Sequence, residues 1–174
     1  MIEESKLCCF FGHRKITETD ELKKQLYDIV EKLIIERGIT SFLFGSKSEF
    51  DKLCLSIVTE LKNKYPHIKR TYVRAEYPYI SESYKNMLLK SYDDTYYPEK
   101  IEHSGKAAYV ERNYEMIDKS IICVVYYDEN YEPPRRKNSK RDLTDYQPKS
   151  GTQIAYEYAV RKNKETINLL GYDK

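Results

Sequence analysis

Short, almost uninterrupted apolar runs, alternating with segments of helical periodicity, constrain this chain more than any other feature. Residues 7–11 (LCCFF) end at Gly12, and residues 39–44 (ITSFLF) end at Gly45. Residues 68–75 form a third run, 121–127 (IICVVYY) the strongest one, and 166–170 a last. A run without polar alternation marks a strand covered on both faces. Between the first two runs, Leu22, Leu26, Ile29, Val30, Leu33 and Ile34 recur at helical spacing over 19–37. Thr17, Thr19 and Asp20 are its cap candidates and Gly38 its stop. A second helix starts at Ser48 or Asp51 and carries Leu53, Cys54, Ile57, Val58 and Leu61 towards Pro66. Helices are also expected over 106–119 and 151–162. The tyrosine-rich stretch 76–104 reads as loop, with one helix near 83–90.

Strands that alternate with helices imply βαβ units and a parallel sheet, whose right-handed crossovers leave an open, doubly wound arrangement. The expectation is a Rossmann-like three-layer α/β/α sandwich with a mainly parallel sheet of about five strands. The 174 residues suit one domain spanning 1–174. A formal charge of +2 is too weak to announce a nucleic-acid or membrane partner by itself. No apolar run approaches the roughly 18 residues of a membrane span, and residues 1–6 do not resemble a targeting signal, so a cytoplasmic setting is expected. Cys8, Cys9, Cys54 and Cys123 lack metal-site spacing and read as reduced, partly buried thiols.

In a doubly wound sheet a ligand sits outside the carboxyl ends of the strands. The first strand leads into Gly12, His13 and Arg14. The second leads into Gly45, Ser46, Lys47 and Ser48, with Asp51 just beyond. The strongest strand ends in Tyr126, Tyr127 and Asp128, and the last helix opens with Ser150, Gly151 and Thr152. Small residues at such turns admit a ligand to the backbone, and free N–H groups at a helix start attract phosphate. His13 and Arg14 taken singly also read as surface groups, and Ser150 and Thr152 as ordinary caps. Their convergence on one sheet edge favours the functional reading. Among 18 tyrosines, Tyr126 and Tyr127, or Tyr77 and Tyr79, suit stacking on a base, with core packing as the alternative. Glu76 and Asp128 are a candidate acid–base pair at that edge, and nothing in their spacing demands the role. His67 and His103 read as bystanders.

The segment FGHRK (11–15) after the first strand resembles the FTGHR signature of the YpsA/YoqJ-like bacterial or phage proteins, a branch of the SLOG superfamily named for the Smf/DprA and LOG proteins. FGSKSEFDKLC (44–54), RNYEMIDKSIICVVYYD (112–128) and SGTQIAYEYAVRKNKETINL (150–169) resemble the later motifs of that branch, in order. The resemblance implies binding of a nucleotide or a nucleotide-derived, NAD- or ADP-ribose-like molecule, by a sensor or sequestering module. No cofactor is required beyond that ligand, and a homodimer or larger homo-oligomer is implied. Gly12, His13, Arg14, Gly45, Asp51, Arg112, Asn113, Gly151 and Thr152 match the motifs. Through the resemblance, the Gly151–Thr152 helix start would hold a phosphate, and Arg14 or Arg112 would neutralise it. Asp51 would accept a ribose hydroxyl or hold an arginine.

Three departures stand out. Phe11 replaces a small threonine, Glu49 stands where a second glycine is usual, and Ile121 takes the place of an aspartate. Two further functions compete. A LOG-like nucleoside monophosphate phosphoribohydrolase needs PGGxGTxxE, but here the stretch is Lys149-Ser150-Gly151-Thr152-Gln153-Ile154-Ala155, with alanine in the glutamate's place. DprA-like single-stranded DNA binding lacks a clustered basic helix. A purely structural interaction protein leaves the convergence of motifs unexplained. The stretch 128–149 forms a long basic loop, with Arg135, Arg136, Lys137, Lys140 and Arg141, and reads either as solvated or as a lid over an anion.

Overall fold

The computed structural model describes residues 5–131 and 149–171. In chain order these form β1 (Lys6–Gly12), α1 (Asp20–Glu36), β2 (Ile39–Phe44), α2 (Glu49–Lys64), β3 (Lys69–Val73), α3 (Glu82–Leu88), β4 (Asp94–Tyr96), α4 (Lys106–Lys119), β5 (Ile122–Tyr126), α5 (Gly151–Arg161) and β6 (Glu165–Asn168). The strands make one parallel sheet in the order β4-β3-β2-β1-β5-β6. The protein is therefore a Rossmann-like three-layer sandwich.

The sheet has six strands, where the apolar runs predict about five. The addition, β4, is the three-residue Asp-Thr-Tyr that pairs with β3 at the edge. An edge strand this short needs no apolar run, and it is held by a polar interlock. The Asp93 N–H donates to the Arg70 carbonyl at 2.7 Å, and the Arg70 N–H donates to Asp93 Oδ2 at 2.8 Å.

The apolar runs are buried because helices cover both faces of the sheet. On one face Leu26, Val30, Phe50, Val58 and Leu61 from α1 and α2 pack on Phe10, Phe42 and Phe44. On the other, Met116, Ile117, Ala155 and Ala159 from α4 and α5 pack on Cys9, Leu43 and Val125. Each large apolar side chain so covered contributes on the order of 1.5–3 kcal/mol. The helix starts use hydroxyl caps. Thr19 Oγ1 accepts the Leu22 N–H at 3.1 Å, Ser48 Oγ the Asp51 N–H at 3.0 Å, and Ser150 Oγ the Gln153 N–H at 3.0 Å. After α1, Gly38 turns the chain at φ 66°, a conformation that favours glycine.

The four cysteines are free and fully buried, rather than partly so. Cys9 and Cys123 are register partners on β1 and β5, with their Sγ atoms 3.5 Å apart. The middle residues of β1 and β5 are buried between the two helical layers, which seals these thiols. Among the described residues no helix is long and apolar enough to cross a membrane. The basic residues Arg135 to Arg141 lie outside the described residues.

Candidate functional site at the carboxyl edge of the sheet

The strand order dictates where a crevice can open. From β1 the chain builds outward through β2, β3 and β4, then crosses by α4 to β5 on the other side of β1. Successive crossovers thus diverge between β1 and β5, at whose carboxyl ends doubly wound proteins take their ligands. There Gly12 is the register partner of Tyr126. A Cβ on Gly12 would collide with the Phe50 side chain, 2.7 Å from its Cβ, so glycine is required for α2 to close on β1.

His13, the next residue, is 1% exposed. Its Nε2 accepts the backbone N–H of Asp128 at 2.7 Å. A ring nitrogen that accepts a backbone N–H carries no proton, so the neutral imidazole holds its hydrogen on Nδ1. Nδ1 is buried without a partner among the described residues. Burial pushes the imidazole below its ordinary value, against an opposing influence from the Asp128 charge. Tyr131 stacks on the ring at 3.9 Å and 14°, while Tyr126 meets it edge-on at 6.2 Å and Tyr127 tilts over it at 5.9 Å. Tyr127 also stacks on Tyr156 of α5 at 4.5 Å. Asn168 of β6 holds the Tyr127 backbone from both sides, accepting its N–H at 3.1 Å and donating to its carbonyl at 3.0 Å.

A second group lies at the end of β2. Asp51 is buried, and its Oδ2 accepts the N–H groups of Ser46 at 2.9 Å and Gly45 at 3.4 Å. Burial raises its carboxyl, although the loop N–H groups and the Arg112 charge oppose this. Asp51 Oδ1 is buried with no hydrogen-bond partner among the described residues. Arg112 of α4 is buried too: its Nη1 donates to the Gly45 carbonyl and its Nε to Asn113 Oδ1 at 3.1 Å. Burial lowers the guanidinium, and the Asp51, Tyr72 and Glu76 charges oppose that shift. Gly45 is glycine because a Cβ would stand 2.7 Å from both Arg112 Nε and Met116 Sδ. Ser46 Oγ donates to Ser48 Oγ at 3.0 Å, completing the turn.

Glu49 joins the two groups. Its backbone N–H donates to the Arg14 carbonyl at 3.0 Å, and its Oε2 accepts the Ile16 N–H at 2.8 Å. The carboxylate in place of a glycine therefore ties the β1–α1 loop to the start of α2. The Arg14 side chain is exposed and without a hydrogen-bond or ion-pair partner among the described residues. Ser150, Gly151 and Thr152 open α5, with Gly151 exposed and no atom within 4 Å of where its Cβ would stand. Among the described residues no hydrogen bond joins these three to His13 or Arg112; α5 reaches the His13 group through the Tyr127–Tyr156 stack. Glu76 and Asp128 belong to different groups, the first near Arg112 and the second at His13. Tyr77 and Tyr79 are exposed after β3, and His103 is paired with Glu111 at 2.5 Å.

Sequence reasoning does not find Tyr131, Phe50 or Asn168 here. Tyr131 and Phe50 act through rings that meet across the fold. Asn168 sits where an apolar strand is expected, and that polar interruption is its only signal. No group of three or more His, Cys, Asp or Glu side chains among the described residues is arranged to hold a metal ion.

The chain matches the family model described as YpsA, YspA SLOG family, over residues 4–159. No curated protein matches it.

Proposed function

The chain belongs to the YspA SLOG family, and on that footing we propose that it binds a nucleotide or nucleotide-derived small molecule at the carboxyl edge of the sheet, as a sensor or sequestering module. The observation that carries the reading is His13: a buried, neutral imidazole with an unpartnered Nδ1, fixed by the Asp128 backbone where the crossovers diverge. A buried donor without a partner costs about 1–3 kcal/mol, which a ligand acceptor would recover. Family membership supports a nucleotide-related ligand. Aromatic rings around His13 suit a planar base, and the exposed Arg14, unpaired among the described residues, suits a phosphate together with the exposed α5 start.

In this reading Arg112 and Asp51 act as positioning residues. Arg112 holds the Gly45 carbonyl, and Asp51 gathers the Gly45 and Ser46 N–H groups, so together they set the β2 loop beside the crevice. Binding is favoured over hydrolysis by α5 itself. Ala155, in the place of the LOG-type glutamate, is buried against the sheet, and Glu157 is paired with Lys149 at 2.8 Å. The whole chain acts as one domain, in the cytoplasm, as a homo-oligomer.

Thermal-shift measurements against AMP, ADP, NAD, ADP-ribose and cyclic ADP-ribose isomers test the proposal, because a ligand selective for the folded state raises the midpoint. At least one of the panel stabilises the protein, and His13→Ala abolishes that response. A panel without effect, alongside stabilisation by single-stranded DNA, overturns it.

A further inference from the structure

A second concavity lies away from this edge, between the outer face of α2 and the turn that joins α3 to β4. It is a solvent-open depression of about 350 Å³, lined by Leu55 and by the polar residues Lys52, Ser56, Thr59, Arg70, Lys90 and Ser91. That volume is within the ordinary range of small-ligand sites. Helical spacing explains the first wall, since residues 52, 55, 56 and 59 share one face of α2. Backbone bonds fix the opposite wall: the N–H groups of Lys90 and Ser91 donate to the carbonyls of Met87 and Leu88 at 3.3 and 3.1 Å.

The chemistry of the walls is one-sided. They contribute three cations and three hydroxyls and no carboxylate. Arg70 is already set in place, with only 14% of its side chain exposed. Its Nε and Nη2 donate to the two carboxylate oxygens of Asp93 at 3.1 and 3.2 Å, and its Nη1 donates to Thr59 Oγ1 at 3.1 Å. Asp93 is shared with Lys62 at 3.5 Å, so one carboxylate faces two cations behind the pocket. Lys52 and Lys90 have no hydrogen-bond or ion-pair partner through their side chains among the described residues. Arg70 has its counter-charge in Asp93, whereas Lys52 and Lys90 face the depression with none among the described residues, and an anion between the two lysines offsets their mutual repulsion.

We propose that this pocket is an anion site that takes a phosphate group, either as inorganic phosphate or on a small phosphomonoester. Lys52 and Lys90 supply charge from opposite walls, Arg70 supplies a fixed guanidinium, and Ser56, Thr59 and Ser91 surround the oxygens with hydroxyls. None of these residues belongs to the crevice around His13, so the two sites are occupied independently.

The test is a titration of the full, isotopically labelled chain with inorganic phosphate, followed through backbone amide resonances. Saturable shifts are expected at Ser56, Thr59, Arg70 and Ser91. In the double variant Lys52→Ala/Lys90→Ala the dissociation constant rises about tenfold. Both lysines are exposed, so the variant keeps its fold, which far-ultraviolet circular dichroism checks. Lys32→Ala, on exposed α1 surface, leaves the constant unchanged. A parallel arm with glycerol phosphate identifies the source: tighter binding assigns a phosphomonoester, equal binding free phosphate. The proposal is overturned if these amides do not move up to roughly 10 mM phosphate, or if the double variant binds as the parent does. It is equally overturned if shifts are confined to residues 12–14 and 150–152, a result that leaves the proposed nucleotide crevice standing.

Discussion

The imidazole of His13 and the backbone N–H of Asp128 meet at 2.7 Å, so the last turn of β1 and the exit from β5 are joined by one hydrogen bond that exists only while the ring is neutral. Removing the acceptor with His13→Ala leaves that N–H without its partner, at a cost of about 1–2 kcal/mol. His13→Gln retains an acceptor and loses less. Chemical denaturation of the two variants at neutral pH measures the difference.

The same bond gives stability a pH dependence. Burial holds His13 below its ordinary value, so the unfolded chain takes up this proton first. The contribution is complete above the ordinary value of about 6.5, and it is lost as pH falls through that value towards the lower folded one. Asp51 works in the opposite sense, since burial raises its carboxyl and acid relieves the buried charge. Midpoints recorded between neutral and mildly acidic pH therefore decline more steeply in the parent than in His13→Gln. Parallel slopes would falsify the assignment to His13.

Two glycines of the same edge separate packing from access. Gly45→Ala drives a methyl against Arg112 and Met116 and destabilises by about 1–3 kcal/mol. Gly151→Ala meets nothing and begins a helix, so it is neutral or stabilising by up to about 1 kcal/mol. If the α5 start holds a phosphate, the alanine there weakens binding despite that gain. Urea midpoints alongside nucleotide titrations resolve the two effects.

Arg14 is the reverse case. Exposed, and unpaired among the described residues, it changes stability by less than about 0.5 kcal/mol when replaced by alanine. Affinity for a phosphate-bearing nucleotide falls about tenfold, one charge-assisted contact. Calorimetric titration of the Arg14→Ala protein shows this, and unchanged affinity removes Arg14 from the crevice.

Incubation with AMP is expected to release no adenine, which chromatography of the mixture verifies. Ala155→Glu does not install the missing acid. Its carboxylate would be forced into the layer between α5 and the sheet, where an unpaired charge costs several kcal/mol, so the variant unfolds at lower denaturant.

The sandwich could be read from the sequence because its inner strands are buried on both faces. LCCFF and IICVVYY have no polar alternation to confuse their period, and the hydroxyls of Thr19, Ser48 and Ser150 start helices where local hydrogen bonding places them. β4 escaped because Asp-Thr-Tyr carries no period at all and depends on Arg70, distant in sequence. At the candidate site, the glycines announced the turns, but not what crowds them. That Gly12 answers to Phe50 and Gly45 to Arg112 follows from how α2 and α4 lie on the sheet. Arg112 is the clearest example: its motif position names the residue, but the carbonyl of Gly45 that its Nη1 holds is 67 positions away and is announced by no motif.

Every sulfhydryl of the chain is sealed inside the sandwich, two of them side by side on the adjacent strands β1 and β5. A water-borne alkylating reagent reaches none of them until the layers part. Native-state labelling therefore times the opening of the domain itself, and any compound that slows it reveals itself as a binder without a chromophore, a tag or an assumption about where it sits.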